Sequence, residues 1–266
     1  FIEKPPLFRH INSKLPINKS YCLLIRNLRC IFASRNLENL TIMGIISSSI
    51  ARKVAMALSG LFLVFFLGQH LVINTTAVLS PDTFNSWSHF MGNNGLVQGL
   101  LQPILIFGVV FHFVMGFVLE LKNRSSRAVK YASYKGATNA SWASRNMIIS
   151  GLVILSFLGL HFYDFWIPEM IHKYVDVLPE DPTRYYAETV HKFENPVRVG
   201  LYVVSFGLLA MHLWHGFASS FQSVGFNNKY SVALTRFAKA YAILIPVGFI
   251  FIAIYLHLNQ LPPSSH

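Results

Sequence analysis

Five long apolar runs constrain this chain more than any other feature. They cover roughly residues 54–79, 99–121, 146–170, 197–222 and 237–259. Each reaches the ~20 helical residues needed to cross a ~30 Å hydrocarbon layer. Lipid offers no hydrogen bonds to open backbone groups, so a spanning segment must satisfy its own N–H and C=O groups. No run alternates with the period of a strand. The expected fold class is all-α, an integral membrane bundle of five transmembrane helices. Of the 266 residues, 53% are hydrophobic and only 12% charged, against about 25% charged in soluble domains.

The connections set an expected orientation. Between the second and third runs stand Lys122, Arg124, Arg127, Lys130, Lys135 and Arg145, while the connection at 80–98 contains no Lys or Arg. Between the third and fourth runs Glu169, Asp176, Glu180, Asp181, Glu188 and Glu194 outweigh the basic residues. Short basic connections stay on the cytoplasmic side, which predicts a cytoplasmic N-terminus and an external C-terminus. The same reasoning reads the net charge of +11 as topogenic and excludes nucleic acid as a partner. Both cysteines, Cys22 and Cys30, precede the first run, so no thiol-based metal site or disulfide framework is built from the bundle.

Two domains of unequal weight are expected. Residues 1–42 are basic and contain Pro5, Pro6 and Pro16, and they read as a disordered extension or as sequence outside the native protein. An Arg-rich organelle transit peptide is the competing reading. Met43 is a plausible natural start, and 43–266 form the five-helix membrane domain.

The bundle repeats itself. Ser59–His70 aligns with Ser150–His161 at seven identical positions of twelve, including the Ser, both Gly and the terminal His. In the second and fourth runs, His112-x-x-x-Gly116-Phe117 matches His212-x-x-x-Gly216-Phe217. At 1.5 Å per helical residue, His70 and His161 each lie roughly 25 Å from the cytoplasmic end, with His112 nearer to it at about 15 Å. Counted from the helix ends, the two levels come out on the order of 10 Å apart. Four histidines in two pairs at two depths suit two stacked bis-histidine hemes, because an electron-transfer heme iron takes one axial ligand from each face. Gly60, Gly68, Gly108, Gly116, Gly151, Gly159, Gly207 and Gly216 lie near these histidines and would admit a flat macrocycle. His215 lies about 60° off the His212 face and reads as a propionate or quinone neighbour, or as a hydrogen-bonding residue within the bundle. His172, His191, His257 and His266 read as structural or solvated residues of loops or ends, and His89 as a surface residue of the first outer connection, with proton exchange with a quinone as its alternative. A single His bonded to a neighbouring carbonyl is the plainer alternative for any one of them.

These motifs, in this order over about residues 44–259, resemble the single-chain, five-helix, diheme cytochrome b anchor of succinate dehydrogenases and fumarate reductases. The resemblance implies an electron-transfer subunit of such an enzyme, without a dicarboxylate active site of its own. It implies two heme b groups, the proximal one on His112 and His212 and the distal one on His70 and His161. It also implies flavoprotein and iron–sulfur partners on the cytoplasmic face of a bacterial inner membrane, with a quinone, menaquinone by the habit of the diheme members, as the membrane substrate. No catalytic residue is assigned. Where some members carry a Glu two residues before the fourth-helix ligand, this chain has Ala210. Gln98 and Gln102 are candidates for the quinone site, and Arg52, Arg145 and Arg198 for the propionates. The alternatives are a cytochrome b serving another respiratory dehydrogenase, such as a hydrogenase or formate dehydrogenase, and a transporter or ion channel that uses buried His.

Overall fold

The computed structural model describes residues 48–125, 147–226 and 228–260, and everything below concerns these. The extension 1–42, both cysteines, Met43, His266, Arg145 and most of the basic connection after the second span lie outside them. All regular structure in the described residues is helical. Five helices are long and apolar enough to cross a membrane: α1 (Ser49–Leu79), α3 (Val97–Asn123), α4 (Met147–Val175), α6 (Pro196–Ser223) and α7 (Ser231–Leu258). Two short helices stand in the connections, α2 (Pro81–Asn93) and α5 (Arg184–Lys192).

The expected spans are all present, and their ends shift for identifiable reasons. The α7 helix begins at Ser231 rather than near 237, because Arg236 and Lys239 end the apolar run without ending the helix. A long cationic side chain can lay its stem on apolar surface, and Lys239 Nζ sits 5.3 Å from the centre of the Trp214 ring. The α4 helix runs on to Val175 through two π-helical turns, Phe162–Trp166 and Ile171–Val175. It therefore carries Glu169, His172 and Lys173, which the sequence reading gave to a loop. His89 lies on α2, His191 in the last turn of α5 and His257 in the last turn of α7. His257 thus lies at a helix end, as expected; α2 and α5 are the additions, because a polar helix at a membrane surface carries no long apolar stretch to reveal it.

The starts of α2 and α6 are built alike. Ser80 accepts a hydrogen bond from Thr83 N–H with Pro81 behind it, and Asn195 accepts from Val197 and Arg198 N–H with Pro196 behind it. A capping oxygen satisfies donors that the first turn leaves open, and Pro tolerates the first helical position because its missing N–H has no partner there.

The buried core gathers at one end of the bundle. Ala77 of α1, Phe84 of α2, Val190 of α5, Val199, Tyr202 and Phe206 of α6, and Phe249, Ile252 and Leu256 of α7 form one cluster. There α2 and α5 are tied together by Tyr186 N–H donating to Asn85 Oδ1 at 2.7 Å. A knot of charges beside them joins Glu169 to Lys173 at 2.6 Å and to Arg184, with Lys173 also donating to the Gly92 carbonyl. The α6–α7 contact is the most extensive helix pairing, and it passes over Ala238, Ala242 and Ala253, each at most 1% exposed. Small residues let helices approach closely in lipid, where helix association gains little from the hydrophobic effect. Large apolar side chains face outward along the spans, among them Phe65, Phe107, Val204 and Leu244.

Candidate functional site

Four of the eleven histidines come together as two ring pairs. His70 of α1 faces His161 of α4 with ring centroids 5.8 Å apart and planes at 87°. His112 of α3 faces His212 of α6 at 6.5 Å and 69°. The two pairs are those that the repeats match.

The His112–His212 pair sits in a cradle that α1 and α4 build twice. Ser59 Oγ is 2.9 Å from the Met56 carbonyl and 3.0 Å from His112 Nδ1. Ser150 Oγ is 2.9 Å from the Met147 carbonyl and 3.2 Å from His212 Nδ1. Beside each serine stands a glycine against the ring. A Cβ on Gly60 would lie 3.2 Å from His112 Cε1, and one on Gly151 would lie 3.8 Å from His212 Cε1. One turn past each His, a glycine receives the methionine of the facing helix: a Cβ on Gly116 would meet Met56 Cε at 3.6 Å, and one on Gly216 would meet Met147 Cε at 2.8 Å. The unit Met-x-x-Ser-Gly, at Met56–Gly60 and Met147–Gly151, thus docks onto His112-x-x-x-Gly116 and His212-x-x-x-Gly216. Sequence reasoning missed the serines and methionines as partners, although the shared methionine three residues before each serine was there to be read.

The His70–His161 pair is framed by aromatic rings. Phe66 stacks on His70 at 5.4 Å and Phe157 on His161 at 5.9 Å, each one turn before its histidine, and Phe249 lies 5.7 Å from His70. Asn74 Nδ2 donates to the His70 carbonyl at 2.7 Å and lies 3.4 Å from His70 Nδ1. His161 Nδ1 is buried without a hydrogen-bond partner. One turn past His161, Asp164 is 1% exposed, accepts the Tyr202 hydroxyl proton at 2.8 Å and faces Arg198 at 3.6 Å.

Eleven residues separate Ser59 from His70, and eleven separate Ser150 from His161. At 1.5 Å per residue that spacing is roughly 16 Å. That is of the same order as the ~10 Å separation counted from the helix ends.

The donor set says what kind of group these pairs could hold. Among the described residues no group of three or more His, Cys, Asp or Glu could hold a bare metal ion. Each level offers two opposed imidazoles, whereas a protein-bound zinc needs three or four protein ligands. An iron porphyrin brings its own equatorial nitrogens and takes two axial ligands. With metal–imidazole bonds of about 2 Å on either side, two coaxial rings would have centroids a little over 6 Å apart, close to both observed separations. The residues present fit the group.

Comparison with known proteins finds one relative in the same family as the resemblance. Over 151 residues, 57% of this chain and 67% of the relative, the sequence is 22% identical to the succinate dehydrogenase cytochrome b558 subunit of Bacillus subtilis (strain 168). This chain is similar to a succinate dehydrogenase cytochrome b. The family-level resemblance read from the histidine motifs is thereby borne out. No family model matches, and no solved structure does. With five spanning helices and a bacterial relative, the chain is a multi-pass protein of the bacterial cytoplasmic membrane.

The secondary candidates divide. His215 belongs to neither ring pair. Gln98 Nε2 is committed to the Met91 carbonyl at 2.7 Å, and Arg198 to Asp164. His89 is bonded to Asn93 Nδ2 at 2.9 Å, stands 3.8 Å from Glu180 and packs edge-on against the Tyr185 ring. The structure brings neither Arg52 nor Gln102 into a ring pair.

Proposed function

We propose that this chain is the membrane anchor and electron-transfer subunit of a succinate:quinone oxidoreductase. In this reading it carries two b hemes, one between His112 and His212 and one between His70 and His161. The observation that carries it is the pair of opposed imidazoles at each of two levels, supplied by helices that repeat one another, in a chain similar to a succinate dehydrogenase cytochrome b subunit. A bound heme supplies a one-electron Fe(III)/Fe(II) couple. The protein's own part is to hold imidazole lone pairs in opposition, to keep water away with Phe66, Phe157 and Phe249, and to space the two levels along α1 and α4.

The positive-inside pattern puts the N-terminus and the His112–His212 level toward the cytoplasm. That face takes the iron–sulfur subunit and, through it, the flavoprotein that contains the dicarboxylate site. A quinone, menaquinone on the family habit, exchanges electrons with the membrane-embedded part. The complex isolated by a tag on this chain from its native membrane tests the assignment. The expected result is that succinate, added without mediator, reduces the b hemes. Co-isolation with a hydrogenase or formate dehydrogenase, together with hemes that ignore succinate, would overturn the assignment in favour of another respiratory dehydrogenase.

A further inference from the structure

We infer that Ser59 and Ser150 are positioning residues that fix the tautomer of His112 and His212, each by accepting the imidazole Nδ1–H and so leaving Nε2 as a free lone-pair donor. The inference rests on the heme reading above and adds to it a role for two residues that do not touch the iron.

A serine hydroxyl has one proton and two acceptor lone pairs. Ser59 Oγ lies 2.9 Å from the Met56 carbonyl oxygen, and two oxygens at that distance attract only with a proton between them. The hydroxyl proton is therefore spent on Met56, as serines in helices commonly spend it on a carbonyl one turn back. The contact with His112 Nδ1 at 3.0 Å must then be an N–H donating to the serine oxygen. The same count holds at Ser150, with 2.9 Å to the Met147 carbonyl and 3.2 Å to His212 Nδ1. Two independent helices reach one answer, at the two opposed ligands of one level.

The consequence is chemical as well as geometric. The hydrogen bond made by one ring nitrogen decides which nitrogen is left to bind metal. An acceptor on the far nitrogen also raises the basicity of the ligand. A more basic axial ligand favours Fe(III) over Fe(II), so the serines lower the potential of the His112–His212 heme. Among the described residues no hydroxyl is bonded to either ring of the His70–His161 level: His161 Nδ1 has no partner, and the Asn74 amide nitrogen stands 3.4 Å from His70 Nδ1 and 3.5 Å from its Nε2. That level serves as an internal control.

The test is a mediated optical redox titration of the full-length chain in lipid nanodiscs, resolving two heme components, for wild type, S59A, S150A, S59A/S150A and S59T. Ser156, which is exposed and bonds only the Leu152 carbonyl, gives the neutral control S156A. The expected result is that one component moves to higher potential in each single variant and farther in the double. Heme affinity at that level should fall about tenfold. The other component and S156A should stay unchanged, and S59T should return the wild-type value. If S59A loses heme outright, S59C, whose thiol is a weaker acceptor, should lie between wild type and loss. Two hemes present with both potentials unmoved in the double variant would overturn the serine role alone. Equal movement of both components would also overturn it, as a general structural effect. A wild-type chain without heme would overturn the heme reading itself.

Discussion

His70 and His161 approach to 5.8 Å between ring centroids from helices whose sequences repeat. Each has a phenylalanine stacked one turn before it, Phe66 and Phe157. The pair is therefore a property of a duplicated segment rather than of one helix meeting another by chance.

Removing a ligand should remove one heme and spare the other. H70A or H161A should lower the pyridine hemochromogen yield from two hemes per chain to one, with the His112–His212 component retained. H112A or H212A should do the reverse, and H215A should keep both. Loss of both hemes from every single variant would argue against two separate sites.

The glycines near the histidines are not equivalent. A Cβ on Gly108 would lie 2.7 Å from the Phe62 ring, and a ring edge cannot fold away, so G108A should cost about 1–3 kcal/mol. Gly159 and Gly207 meet no protein atom within 4 Å, so in the heme-free chain G159A and G207A should be neutral or slightly stabilising. Thermal unfolding in detergent, followed by circular dichroism, separates the two groups.

Asp164 is buried between Tyr202 and Arg198. D164A leaves the Tyr202 hydroxyl without its acceptor, which should cost about 1–3 kcal/mol. A double-mutant cycle with Y202F should return a coupling on the order of 0.5–3 kcal/mol. Additive losses would mean that the two side chains do not act together.

At the capped end, Arg184 joins Glu169 and Glu188. Burial works against its charge, but the hydrogen bonds to Glu169 and Glu188 prevail and raise its pKa above the ordinary guanidinium range. Stability from a raised cation is present below its unfolded pKa and lost only as pH climbs through the folded one. Alkaline titration through the range where lysines lose their protons should therefore leave the contact between α4 and α5 intact, while R184A should loosen it. Protease sensitivity of the 176–183 connection across that range checks both.

Orientation can be measured with single cysteines in a background lacking Cys22 and Cys30. A cysteine at Glu180 should react with an impermeant maleimide on intact cells. One at Asn228 should react only after the membrane is opened.

Much of this architecture was legible in the sequence because lipid imposes so few solutions. A run such as 237–259 must be a helix whatever its neighbours are. The histidine pairs were legible because His70 and His161 end matching segments, identical at seven of twelve positions. The short helices α2 and α5 were not, since an amphipathic surface helix lacks the apolar length that marks a span. Pro81 after Ser80 was a local signal for the start of α2, whereas the Thr183 side chain makes no capping hydrogen bond at the start of α5. The second contact of Ser59 and Ser150 was hidden for another reason. A serine in a membrane helix usually bonds its own backbone, and these do, so only their position against His112 and His212 reveals the added role.

The most direct measurement is heme quantitation on the full-length chain purified from cells that make heme, with a reduced-minus-oxidised spectrum. The two ring pairs predict two low-spin b hemes per polypeptide. A pure, folded chain with no iron porphyrin would contradict them.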